Sequence, residues 1–130
     1  MNQVTINIAN DKKTIKIDWK PDMNIQNMLE IAYDQEKKSG REFSFAFQYF
    51  GYYGEDYLGY LVIMIDKIYD NPNNPNDYWL YRVNGVTAQV GIDNYMVNAG
   101  DLIEFDYIPI TSSAQDNFLH KVKHEFYSNN

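Results

Sequence analysis

The stretch at residues 78–107, YWLYRVNGVTAQVGIDNYMVNAGDLIEFDY, constrains the fold of this chain more than any other. Trp79, Tyr81 and Val83 alternate with Leu80 and Arg82, the period of two expected of a strand with distinct faces. Asn84-Gly85 supplies the positive φ angles that a tight turn requires. A short extended segment follows, then a second turn at Ala99-Gly100-Asp101. Ile103, Phe105 and Tyr107 alternate with Glu104 and Asp106 in a further strand. Glycines and aromatics at these spacings specify architecture strongly and chemistry weakly.

The rest of the chain reads in the same terms. Val4, Ile6 and Ile8 predict a first strand, the run Asn10-Asp11-Lys12-Lys13 a turn, and Ile15, Ile17 and Trp19 a second strand. After Pro21 a helix is expected. Asn24 is its N-cap, Met23 and Met28 form a hydrophobic staple, and Ile25, Met28, Leu29, Ala32 and Tyr33 lie on one stripe. Lys37 and Lys38 suit its C-terminal end and Gly40 its stop. Phe43, Phe45, Phe47 and Tyr49 predict a third strand, and residues 51–59 an aromatic loop. The apolar run at residues 60–65 predicts a central strand covered on both sides. DNPNNPND at residues 70–77 is a loop. Beyond Pro109, the run Ser113-Ala114-Gln115-Asp116 starts a short helix with Phe118, Leu119, Val122 and Phe126 on one stripe; it docks either on the sheet or on a partner. The order of elements predicts an α+β protein: a single β-grasp (ubiquitin-like) domain, residues 1–110, whose mixed sheet of about five strands packs on one helix, followed by a helical tail at residues 111–130.

The totals exclude several function classes. With 130 residues, the chain suits one domain with one core. A net charge of −7 argues against tracking a phosphate backbone, so no nucleic-acid partner is expected. The absence of cysteine removes disulfides, thiolate metal sites and cysteine nucleophiles. The run at residues 60–65 is too short to span a bilayer. MNQVTINIAND lacks the basic and apolar regions of a secretory signal. That leaves the compartment open between a cytoplasmic protein and a surface protein whose signal was removed.

The aromatic share, 16% with 12 Tyr and 7 Phe, supplies the candidate binding residues. Tyr78, Trp79 and Tyr81 offer faces for stacking on a flat ligand, or else core packing beneath the helix. Tyr52, Tyr53, Tyr57 and Tyr60, among the glycines of the expected loop, suit surface recognition. Asp70, Asn71, Asn73, Asn74, Asn76 and Asp77 carry oxygens that suit calcium, but without the glycine and closing glutamate of an EF-hand they read as turn residues. His120 and His124 share a helix face without a third ligand. Glu104, Asp106 and Asp101 lack an apolar pocket to perturb them, and no G-x-S-x-G or phosphate-cradling loop is present. A non-enzymatic protein is expected. Its partner is a small molecule or another protein, including a basic partner of an acidic inhibitor, or whatever a trimmed cell-surface adhesion module would bind.

Tyr78 and Trp79, Val83-Asn84-Gly85, Ala88, Gly91, Tyr95, Gly100-Asp101 and Ile103-Glu104-Phe105 together resemble the transcobalamin-like C-terminal domain family. Its members are small bacterial domains similar to the β-domain that caps cobalamin in transcobalamin and intrinsic factor. The resemblance covers roughly residues 3–108. It implies a β-grasp fold and, from the vertebrate carriers, recognition of one face of a corrinoid, so that cobalamin becomes a possible ligand. It also implies an extracellular or surface location if a signal has been removed. The chain departs from the carriers in having no separate helical domain, in the length of the DNPNNPND loop, and in everything after Ile110.

Overall fold

A computed structural model describes residues 2–9, 12–71, 77–108 and 118–128, and within them the chain is mixed α+β, mostly strand, with two helices. Strands β1 (Gln3–Ile8) and β2 (Lys13–Asp18) form an antiparallel hairpin. Its expected turn residues, 10 and 11, lie outside the described residues. Helix α1 (Ile25–Lys38) starts where the sequence indicates. The Asn24 side chain accepts from the Asn27 amide at 2.7 Å, and Asn27 returns the bond to the Asn24 amide at 3.1 Å. This reciprocal cap satisfies two orphan groups at the helix start. The amides of Ile25 and Gln26 reach the carbonyls of Tyr95 and Ile92, so the irregular segment after residue 90 closes the same helix end.

Strands β3 (Phe45–Tyr53), β4 (Asp56–Ile65) and β5 (Ile68–Tyr69) follow, then β6 (Tyr78–Val83), β7 (Val86–Thr87) and β8 (Leu102–Ile108). The first sheet has the order β2-β1-β8-β6-β7, with β1 and β8 parallel and its other pairs antiparallel. Register places Ile6 beside Ile103 and Ile8 beside Phe105, while Tyr81 faces Phe105 and Val83 faces Ile103. These side chains share one face. They join Ile25, Met28, Leu29 and Ala32 of α1 in one buried core.

The single sheet expected from sequence is a five-stranded sheet plus a separate three-stranded one, β3-β4-β5. The physical reason lies at the outer edge of β4. There the Ile92 amide donates to the Tyr60 carbonyl at 2.8 Å, and the Tyr60 amide donates to Asp93 Oδ1 at 2.9 Å. The edge is therefore filled by the 91–93 segment and not by a strand of the first sheet.

Helix α2 (Phe118–Ser128) packs on β6 and β3, with Leu119 and Val122 buried in the common core. Phe126 lies 4.5 Å from Phe50, and Tyr127 lies 5.5 Å from Tyr78. The residues expected to start this helix, and the expected boundary near residue 110, lie outside the described residues. Lys123 is 1% exposed and donates to the carbonyls of Val62 (2.5 Å) and Trp79 (2.8 Å) and to Asp70 Oδ2 (2.8 Å). Its three donors thereby join α2 to both sheets and to the end of β5. Burial pulls its pKa below the usual lysine value, against the opposing charge of Asp70.

Candidate functional site: an aromatic face on the three-stranded sheet

Residues 51–59, expected to be a loop, are a hairpin whose turn is only Gly54-Glu55. Of the glycines that suggested a loop, Gly54 is in that turn, and Gly51 and Gly59 sit at bulges. Gly51 (φ 71) faces Gly59 (φ 64) across the pair, and the register shifts on either side of Gly51. In a regular strand, residues three apart point to opposite faces. The two bulges cancel that alternation, so that Tyr49 and Tyr52 on β3 meet Tyr60 and Tyr57 on β4.

The rings make a continuous row. Tyr52 lies 5.0 Å from Tyr57, Tyr57 6.3 Å from Tyr49, and Tyr49 5.2 Å from Tyr60. From Tyr60 the row continues through Phe47 at 5.5 Å and Phe45 at 5.9 Å to Phe43 and Tyr33. Tyr52 is 68% and Tyr49 49% exposed. The Tyr57 hydroxyl sits 3.4 Å from Asp93 Oδ2. Burial, the Asp93 charge and Tyr49 push its pKa up to about 12. Tyr57 therefore stays a neutral donor under ordinary conditions.

The expected site residues divide into two groups. Tyr52, Tyr57 and Tyr60 belong to the row, together with Tyr49, which the sequence reading assigned only to a strand. Tyr53 points the other way: its ring lies 5.6 Å from Phe118, and its hydroxyl bonds to Glu125, which raises its pKa. Tyr78, Trp79 and Tyr81 are all nearly fully buried, so the stacking surface expected of them is a correction. Both faces of β6 are covered, one by the core under α1 and the other by α2. Trp79 Nε1 donates to the Ile68 carbonyl at 2.8 Å, and the Tyr81 hydroxyl donates to the Val90 carbonyl at 2.7 Å.

The acidic residues considered from sequence are committed to pairing. Arg82 binds Asp106 at 2.8 Å and Glu104 at 3.3 Å. Asp101 accepts from the Asn84 side chain and the Asn98 amide. Asp70 accepts from Lys123, Tyr127 and the Trp79 amide, while Asn73, Asn74 and Asn76 of the same loop, and the His120 side chain, lie outside the described residues. Among the described residues no group of three or more His, Cys, Asp or Glu side chains is placed to hold a metal ion. Among them, too, no helix is long and apolar enough to cross a membrane.

The fold thus defines a mixed α+β protein carrying an aromatic face on its smaller sheet. The chain belongs to the family described as Domain of unknown function (DUF4430), whose model matches residues 22–108. No curated protein matches it. Among solved structures it is similar to a Ruminococcus gnavus protein provisionally described as metal binding, at 12% identity and a TM-score of 0.54. That match covers 85% of this chain and all of the other. At this identity the likeness concerns the fold.

Proposed function

We propose that this chain is a non-enzymatic binding module, a β-grasp domain of the transcobalamin-like kind, which takes a flat, largely apolar ligand on the face of β3 and β4. The observation that carries the reading is the ring row Tyr52-Tyr57-Tyr49-Tyr60, whose first three members are exposed. Rings at these separations present broad apolar area with hydroxyl tips, which suits stacking on a planar molecule. The β-grasp assignment is supported by the initial hairpin, by α1 across one face, and by the parallel pairing of β1 with β8. The commitment of Glu104, Asp106 and Asp101 to structural pairs supports a role without acid–base chemistry.

A corrinoid is the ligand that the transcobalamin-like resemblance favours. Calorimetric titration with cobinamide and with cobalamin tests it. Binding is expected, weakened at least tenfold in Tyr49→Ser/Tyr52→Ser. The absence of both heat and thermal shift at millimolar ligand would rule the corrinoid out.

A further inference from the structure

At the far end of the aromatic row, the C-terminal end of α1, the start of β3 and the β4–β5 turn border an open pocket of about 320 Å³. Tyr33 and Phe43 give it an aromatic wall, and Lys37, Arg41 and Lys67 line it. Lys13 stands beside it, its ammonium 5.6 Å from the Phe43 ring centre. Four of the chain's 11 basic residues therefore gather here, in a protein of net charge −7.

Three carboxylates accompany them: Glu36 and Asp66 are already engaged, while Glu42, which also lines the pocket, is within ion-pair distance of none of the four cations. Glu36 holds Arg41 through two bonds, of 3.0 and 2.9 Å. Asp66 holds Lys13 at 2.7 Å. Among the described residues, Lys37 and Lys67 have no carboxylate partner within ion-pair distance. Both are exposed: Lys37 suits the helix dipole and lies 5.9 Å from the Tyr33 ring centre, and Lys67 stands on the β4–β5 turn.

The backbone at Lys67 supplies a second observation. Asp66 and Lys67 form the two-residue turn between β4 and β5, with φ of 49° and 73°. Asn84-Gly85 makes the same kind of turn between β6 and β7, with the favoured residues in both places. At residue 67 a lysine occupies the strained position where glycine would fit without cost. The turn is locked by Asp66, whose Oδ1 accepts from the Ser44 amide at 3.0 Å and whose amide donates to the Ser44 carbonyl at 2.9 Å. The locked turn thus holds Lys67, an exposed residue, at the rim of the pocket.

We propose that this pocket binds the anionic group of an aryl carboxylate or aryl phosphate, with the ring against Tyr33 and Phe43 and the anion on Lys67 and Lys37. The volume suits a one- or two-ring ligand. The proposal does not rest on the corrinoid reading. Amide chemical-shift titration with benzoate, phenyl phosphate and uncharged benzamide tests it. Both anions are expected to shift Ser44 and Lys67 saturably in the millimolar range, with benzamide at least tenfold weaker. The stronger of the two anions distinguishes a carboxylate from a phosphate site. Lys67→Gly relieves the turn and is expected to raise Tm by about 3–5 °C while weakening anion binding at least fivefold; Lys67→Arg retains binding. Equal binding of benzamide, or undiminished anion binding by a folded Lys67→Gly, would overturn the proposal.

Discussion

Asp93 Oδ1 accepts the Tyr60 amide at 2.9 Å, and through this bond an irregular segment takes the place of a strand at the edge of β4. The approach is close enough to depend on glycine. A Cβ on Gly91 would overlap the Leu58 carbonyl oxygen and lie 2.6 Å from that of Tyr60. Both obstacles are backbone, so neither can swing away. Gly91→Ala is expected to cost more than about 3 kcal/mol in urea unfolding, an overpacking cost at the upper end of the range. Gly85, also outside any helix, has nothing within 4 Å of its missing Cβ. Gly85→Ala carries only the penalty of its positive φ, about 1 kcal/mol. Equal costs for the two variants would contradict this account.

Lys123 and Asp70 are both almost wholly buried and pair at 2.8 Å. Removing one member of such a pair strands the other charge, which typically costs about 3–5 kcal/mol, whereas replacing both is far milder. Lys123→Met is expected in that range. In the Lys123→Met/Asp70→Asn double variant, part of the loss returns, so the two single effects do not add. Strict additivity in a double-mutant cycle would mean that the pair contributes no coupling.

The tyrosines give the fold a particular response to alkali. Burial is the leading cause that holds the Tyr57 hydroxyl at about 12, and Tyr81 and Tyr127 are raised as well, also chiefly by burial. In the unfolded chain a phenol titrates near 10. The fold therefore favours the neutral form. Its contribution is complete below about pH 10 and is lost as pH rises through about 12. Part of the phenolate absorbance is expected to develop only well above pH 10, with Tyr57→Phe removing a share of that late change. The urea midpoint should fall across the same interval. Simultaneous titration of all 12 tyrosines near pH 10 in the folded protein would contradict this.

Local signals in the sequence were strong wherever one residue determines one feature. Asn24 caps α1, Asn84-Gly85 turns β6 into β7, and the alternation of residues 103–107 marks β8. The tyrosines of the aromatic face are legible as surface residues, but their hairpin is not, because Gly51 and Gly59 signal a loop and a bulge equally well when each is considered alone. Only their pairing across two strands makes them bulges, and pairing is a long-range fact. The assignment of Tyr78, Trp79 and Tyr81 failed for a related reason. Alternation shows that a strand has two faces, but it does not show that α2 will cover the second one. Lys123 left a legible trace. It stands four residues after Leu119 and three before Phe126, on the apolar stripe of its own helix, where a lysine calls for a buried acceptor.

The division between face and core can be tested by contrasting exposed and buried aromatics. Among the rings of the described residues Tyr52 meets only Tyr57, and it is mostly in solvent. Replacing such a residue usually changes stability by less than about 0.5 kcal/mol. Trp79 is 2% exposed, lies 5.1 Å from the Tyr107 ring, and donates through its indole nitrogen to the Ile68 carbonyl. Trp79→Ala leaves a large cavity and orphans that carbonyl, at an expected cost of about 3–5 kcal/mol. Tyr52→Ser is therefore expected to fold as well as the parent and to lose ligand binding. Trp79→Phe, which keeps most of the volume, should lose some stability and bind normally under conditions where it is folded. A Tyr52→Ser protein that binds normally, together with a folded Trp79→Phe protein that does not bind, would transfer the site from the β3–β4 face to β6.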